Sequence, residues 1–92
     1  MVKRIECRIE GRVQLVMFRD FTKRTAQRFE IPGVVKNEGD GSVSVIAEGE
    51  EEKLEEFLKE LGKGPVLAKV KKLDTHWDAP TGEFTDFKII YY

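Results

Sequence analysis

In Gly11-Arg12-Val13-Gln14-Leu15-Val16-Met17-Phe18-Arg19, a strand pattern breaks and a helix pattern begins. Upstream, from Val2 to Glu10, Ile5, Cys7 and Ile9 share one parity and Arg4, Glu6, Arg8 and Glu10 the other. That alternation is the signature of a strand with one buried face. Downstream, Phe21, Thr25, Ala26 and Phe29 recur at helical spacing. The stretch between is therefore a strand-to-helix loop. Such a junction offers unpaired backbone N–H groups and the positive end of a helix dipole, and both attract an anion. Arg19, at the helix entrance, adds a full charge and a fork of donors matched to phosphate. These residues outline a phosphate site.

Beyond the first helix, Ile31-Pro32-Gly33 is a helix-ending, turn-forming triplet. Val34 to Asn37 reads as a strand, Glu38-Gly39-Asp40-Gly41 as a turn, and Ser42 to Glu48 as the returning strand with Val43, Val45 and Ala47 on one face. Asn37 thus ends one hairpin arm. Leu54, Phe57, Leu58 and Leu61 follow the i, i+3, i+4, i+7 rule of an amphipathic helix. Glu50, Glu51 and Glu52 suit the dipole at its start, and Gly62 is the expected C-cap. From Leu67 to Trp77 a strand pattern changes phase: Ala68 and Val70 share one parity, Leu73, Thr75 and Trp77 the other. A β-bulge near Lys71-Lys72 accounts for the switch. Asp78 to Glu83 forms a loop, and Phe87, Ile89 and Tyr91 alternate as a short last strand.

The order is β-α-β-β-α-β with a short final strand. Two β-α-β halves in an open antiparallel sheet, with both helices on one face, make an α+β ferredoxin-like sandwich, here a single domain over residues 1–92. Right-handed crossovers place the first strand inside the sheet, so its loop lies beside the end of the strand carrying Asn37.

Composition restricts the function classes. Sixteen basic and seventeen acidic residues leave no strong net field, which counts against a general nucleic-acid binder. No apolar run approaches a membrane span, and the charged N-terminus lacks the apolar core of a signal peptide, so a cytoplasmic location is expected. Cys7 is the only cysteine and lies on the apolar face of its strand, as a buried structural thiol does. His76, the only histidine, cannot support two-histidine chemistry and is read as a packing or surface residue. Lys69, Lys71 and Lys72 read as a solvated strand face.

At this point the chain resembles the acylphosphatase family. That family's first signature reads approximately Gly-x-Val-Gln-Gly-Val-x-Phe-Arg, and Gly11 to Arg19 match it everywhere except Leu15. The second signature is met by Gly33, Val35, Lys36, Asn37, Gly41, Val43 and Gly49, with Val34 replacing an aromatic residue. The resemblance extends over the whole chain. It implies hydrolysis of acyl phosphates, the mixed anhydrides of carboxylic and phosphoric acids, with no metal and no cofactor. By that resemblance, the Arg19 side chain and the backbone N–H groups of Leu15, Val16, Met17, Phe18 and Arg19 hold the phosphate, and Asn37 positions the attacking water. Gly11 and Gln14 are read as supports of the loop. The expected partner is a small-molecule acyl phosphate, with no nucleic acid or membrane, and the protein is expected to be a monomer.

Leu15 is the main departure, since glycine at that position suggests tight or left-handed backbone. An L-residue there costs roughly 1–2 kcal/mol, and its side chain either crowds the cradle or forms an apolar lip over it. Leu15 therefore keeps open a second reading, a binding module that retains the anion cradle without turnover. The tail Ile90-Tyr91-Tyr92 also lacks the basic residue often found near the family's C-terminus. A third reading, an RNA-recognition domain of the same element order, requires stacking aromatics on the first and third strands. Ile5, Cys7, Ile9, Val43 and Val45 offer none.

Overall fold

In the computed structural model, which describes residues 1–91, the elements are β1 (Val2–Arg12), α1 (Phe18–Arg28), β2 (Gly33–Asn37), β3 (Val43–Glu50), α2 (Glu51–Lys63), β4 (Lys69–Asp78) and β5 (Phe87–Ile90). Tyr92, the end of the tail noted above, lies outside the described residues. The sheet order is β4-β1-β3-β2-β5, so β1 lies inside the sheet as the crossovers require. The expected antiparallel sheet needs one correction. β5 pairs with β2 in parallel, Lys36 opposite Ile90, which makes the sheet mixed. The reason is the loop after β4, which returns the chain to the far edge and leaves β5 running alongside β2.

Both helices cover one face, and the core lies between. Ile5, Ile9, Val35, Val43, Val45 and Ala47 from the sheet meet Phe18, Ala26, Leu54, Phe57 and Leu61 from the helices, each nearly or wholly buried. α2 runs one residue past Gly62 to Lys63. Its cap is Gly64 (φ 69°), whose N–H reaches Glu60 O at 3.0 Å. Gly64 ends the helix because a left-handed residue lets the chain turn under the Phe18 ring, 3.2 Å from where a Cβ would sit. Pro65 to Ala68 then makes a turn, so β4 starts at Lys69 instead of Leu67.

The phase change in β4 is a bulge. Glu10 pairs with Lys72 but Gly11 pairs with Val70, leaving Lys71 as the extra residue. Val70 and Leu73 both pack against the core as a result. Gly11 is the residue that makes this possible, since with φ 131° a Cβ would stand 2.1 Å from Lys69 O. Lys69, Lys71, Lys72 and His76 are exposed. Ile5, Cys7 and Ile9 lie on the helix side, so the open face shows Glu6, Arg8, Ser44 and Ile46 instead, also without an aromatic. Cys7 is 3% exposed, and burial pushes its thiol up to about 11.

A buried carboxylate ties the last loop to the sheet. Glu48 accepts hydrogen bonds from Thr81 N (2.8 Å), Thr81 Oγ1 (2.9 Å), Gly82 N (2.9 Å) and Arg4 (2.8 Å). Burial alone raises its pKa, but the Thr81 and Gly82 N–H groups, the Arg4 guanidinium and the Thr81 hydroxyl hold it down at about 2, below the ordinary 4.5. Because the folded value is the lower one, this contribution is complete above about pH 4.5 and is lost as pH falls towards 2. The shift corresponds to roughly 3 kcal/mol. Glu48→Gln is therefore expected to cost about 2–3 kcal/mol at pH 7 in urea unfolding. The variant should also lose part of the wild-type drop in stability between pH 4.5 and 2. An acid limb unchanged by the substitution would place that pH dependence on another group.

Candidate active site

The loop after β1 is fixed by two buried pegs, Val13 and Phe18, each 1% exposed. Between them Gln14, Leu15, Val16 and Met17 must reverse the chain, and they do so with left-handed residues at Leu15 (φ 62°) and Met17 (φ 64°). Left-handed residues alternating with others turn successive N–H groups into one concavity, the geometry of an anion nest. Met17 is also the N-cap of α1 and makes no side-chain cap, so the first-turn N–H groups stay open. Among the described residues, no backbone N–H from Leu15 to Arg19 donates to a loop carbonyl.

Gln14 anchors the loop from the side. Its Nε2 donates to Glu38 O (2.8 Å) and Ser42 O (2.9 Å), joining the β1–α1 loop to the β2–β3 turn. That turn is itself braced: Asp40 accepts from Ser42 N (3.0 Å) and Ser42 Oγ (2.7 Å) and pairs with Arg8. The Ser42 hydroxyl and N–H, with Arg8, hold the Asp40 carboxyl down at about 2. Asn37, the last residue of β2, therefore stands at a fixed place beside the loop.

Loop and strand end enclose one cavity of about 410 Å³, whose lining includes Leu15, Met17, Phe18, Arg19 and Asn37. Val16 packs partly against the core and contributes no side chain to that lining, and Gly11 lies back at the bulge. The Asn37 Oδ1 is buried and has no hydrogen-bond partner among the described residues. A buried amide oxygen without a donor is costly, and a water or substrate donor would relieve that cost. A larger, shallower hollow lies on the open sheet face, lined by Glu6, Arg8, Asp74 and His76, and holds none of these groups.

Two features of the site are absent from the sequence reading. The Arg19 guanidinium lies over the Tyr91 ring, 5.1 Å from its centroid, a cation–π contact that orients the fork. The signal was the Phe87, Ile89, Tyr91 alternation, but only the parallel β2–β5 register brings its end beside Asn37. The second is Met17, whose left-handed backbone no residue type announces. Asp20 does not pair with Arg19; its carboxylate accepts from Arg24 Nε at 2.8 Å along α1. Leu15 is 97% exposed, so its side chain does not crowd the cradle, and it stands at the edge of the cavity that it helps to line.

An interior strand, open N–H groups at a helix start and a facing amide define an α+β protein of ferredoxin-like fold with a polar-floored cavity at one sheet end. Comparison with known proteins narrows this class. The Acylphosphatase family model matches residues 5–89. An acylphosphatase of Salinibacter ruber is 42% identical over 87 residues, covering 95% of this chain and 92% of its own. One from Thermotoga petrophila is 44% identical over 91 residues, covering 99% of this chain and 100% of its own. The crystal structure of the acylphosphatase from Bacillus subtilis superposes with a TM-score of 0.94 at 31% identity, over 97% of this chain and 99% of that one. The chain belongs to the acylphosphatase family.

Proposed function

We propose that this chain hydrolyses the carboxyl–phosphate bond of an acyl phosphate, giving a carboxylate and inorganic phosphate, without a metal or cofactor. Family membership supports the activity. The assignment of residues rests on one observation: Asn37, whose Oδ1 has no hydrogen-bond partner among the described residues, lines the same cavity as Arg19 and the residues of the N–H nest.

In this reading the phosphoryl oxygens take the N–H groups of residues 15 to 19 and the fork of Arg19. The donors are fixed before substrate arrives, by the Val13 and Phe18 pegs and the Gln14 brace. Stabilisation of developing charge therefore costs no reorganisation. A water held by the Asn37 side-chain amide keeps a lone pair for phosphorus, and holding it there supplies the entropic part of the acceleration. The carboxylate leaves without protonation because it is a weak base. A phosphoryl oxygen takes the water's proton, so no side-chain base is needed, and phosphoryl transfer of this kind is mostly positioning and electrostatics. The reading of a cradle without turnover rested on strain or crowding at Leu15. The left-handed backbone is accommodated in the loop and the exposed side chain leaves the cradle open, so crowding gives that reading no support.

The chain is further read as a single domain and a cytoplasmic monomer. One core joins its elements, ion pairs such as Arg8–Asp40 and Lys72–Asp74 cover the open sheet face, and Cys7 is an unpaired thiol. No helix among the described residues is long and apolar enough to cross a membrane. Purified protein is expected to release phosphate from acetyl phosphate in excess EDTA at the rate seen without it. Phosphate release that needs an added divalent ion would refute the metal-free scheme.

A further inference from the structure

Leu15 and Met17 are strained and exposed at once. Each holds a left-handed backbone, and their side chains are 97% and 67% exposed. A left-handed L-residue costs roughly 1–2 kcal/mol, and neither side chain recovers that cost by packing in the core. Strain kept without packing gain points to function. Both residues line the cavity that holds Arg19, as do Ile89 and Tyr91, which is 76% exposed. A phosphate's five heavy atoms, at roughly 20–30 Å³ each, take up about a third of the 410 Å³ available. The remainder is walled by these apolar groups and opens outward from the cradle.

We propose that Leu15, Met17 and Tyr91 form an apolar lip that selects acyl phosphates with an apolar acyl group, such as an aryl or branched alkyl chain. This rests on the hydrolysis reading above, because the phosphoryl group on Arg19 is what aims the acyl group at the lip. Charge agrees with shape. Among the described residues the charged side chains of the lining are Arg19 and Asp20, and Asp20 is paired with Arg24, so once Arg19 holds the phosphoryl group the lining offers no free cation to an acidic acyl group.

The test compares kcat/KM for benzoyl phosphate, acetyl phosphate and succinyl phosphate, whose acyl group carries a carboxylate. Wild type should favour them in that order. Leu15→Asn keeps a residue tolerant of the left-handed region and removes the apolar surface. It should lower the benzoyl-to-acetyl ratio about fivefold, with a further fall in the Leu15→Asn, Met17→Asn double variant. Both substrates carry the same phosphoryl group, so damage to the cradle cancels in the ratio. A ratio unchanged while both substrates turn over would overturn the lip and leave the hydrolysis reading standing. Failure of the wild-type protein to hydrolyse any of the three would overturn the hydrolysis reading and the lip with it.

Discussion

Replacing Arg19 with alanine is expected to lower kcat/KM for an acyl phosphate by about 10³-fold or more, the scale of removing a charged clamp from a transferring phosphoryl group. The nest of backbone N–H groups survives the substitution, because Val13, Phe18 and Gln14 hold it and Arg19 does not. What is lost is the one full positive charge in the lining and the two parallel donors of the guanidinium. Arg19→Lys separates these contributions. A lysine keeps the charge but has neither the fork nor the flat face that lies over Tyr91. The lysine variant should fall between wild type and alanine, with weaker inhibition by inorganic phosphate than wild type. Stability should change little in either variant, since Arg19 is only partly buried and makes no ion pair among the described residues. Alanine turnover within tenfold of wild type would show that the N–H nest holds the phosphoryl group unaided.

Much of this arrangement is legible in the residues, for identifiable physical reasons. Alternation fixes which side of β1 is buried, and heptad-like spacing fixes the face of α2, because burial imposes those periods directly. The bulge at Lys71 is legible because an extra residue leaves a parity change behind it. Features set by tertiary pairing are not legible in this way. Gly62 and Gly64 are equally good helix caps by type, and the Phe18 ring beneath the turn decides between them. The parallel β5 depends on the path of the loop that Glu48 holds, through contacts between residues 33 or more apart in the chain. The cradle residues themselves are found by motif, yet the left-handed Met17 and the Tyr91 stack come from the folded geometry alone. Leu15 falls between these cases. Its departure from the motif marks the position, and only the folded chain shows the side chain turned out over the cavity mouth.

Asn37→Ala should act on a different step from Arg19→Ala, and that difference is the strongest check on the division of labour proposed for the site. If Asn37 holds the attacking water, its interaction is realised in the transition state, so kcat should fall by about 10²–10³-fold while KM changes little. Inhibition by inorganic phosphate should stay near the wild-type level, because the nest and Arg19 remain. The fold should tolerate the change. Asn37 ends β2, its backbone pairing with Val43 does not depend on the side chain, and the amide oxygen it removes has no protein partner to strand. Removing a buried unsatisfied acceptor is nearly neutral or slightly stabilising, so urea unfolding should show no loss beyond about 0.5 kcal/mol. Stability and activity therefore move independently here, as expected for a residue retained for chemistry. A large rise in KM with kcat preserved would instead make Asn37 a substrate-binding group. Water positioning would then have to come from the cradle loop itself.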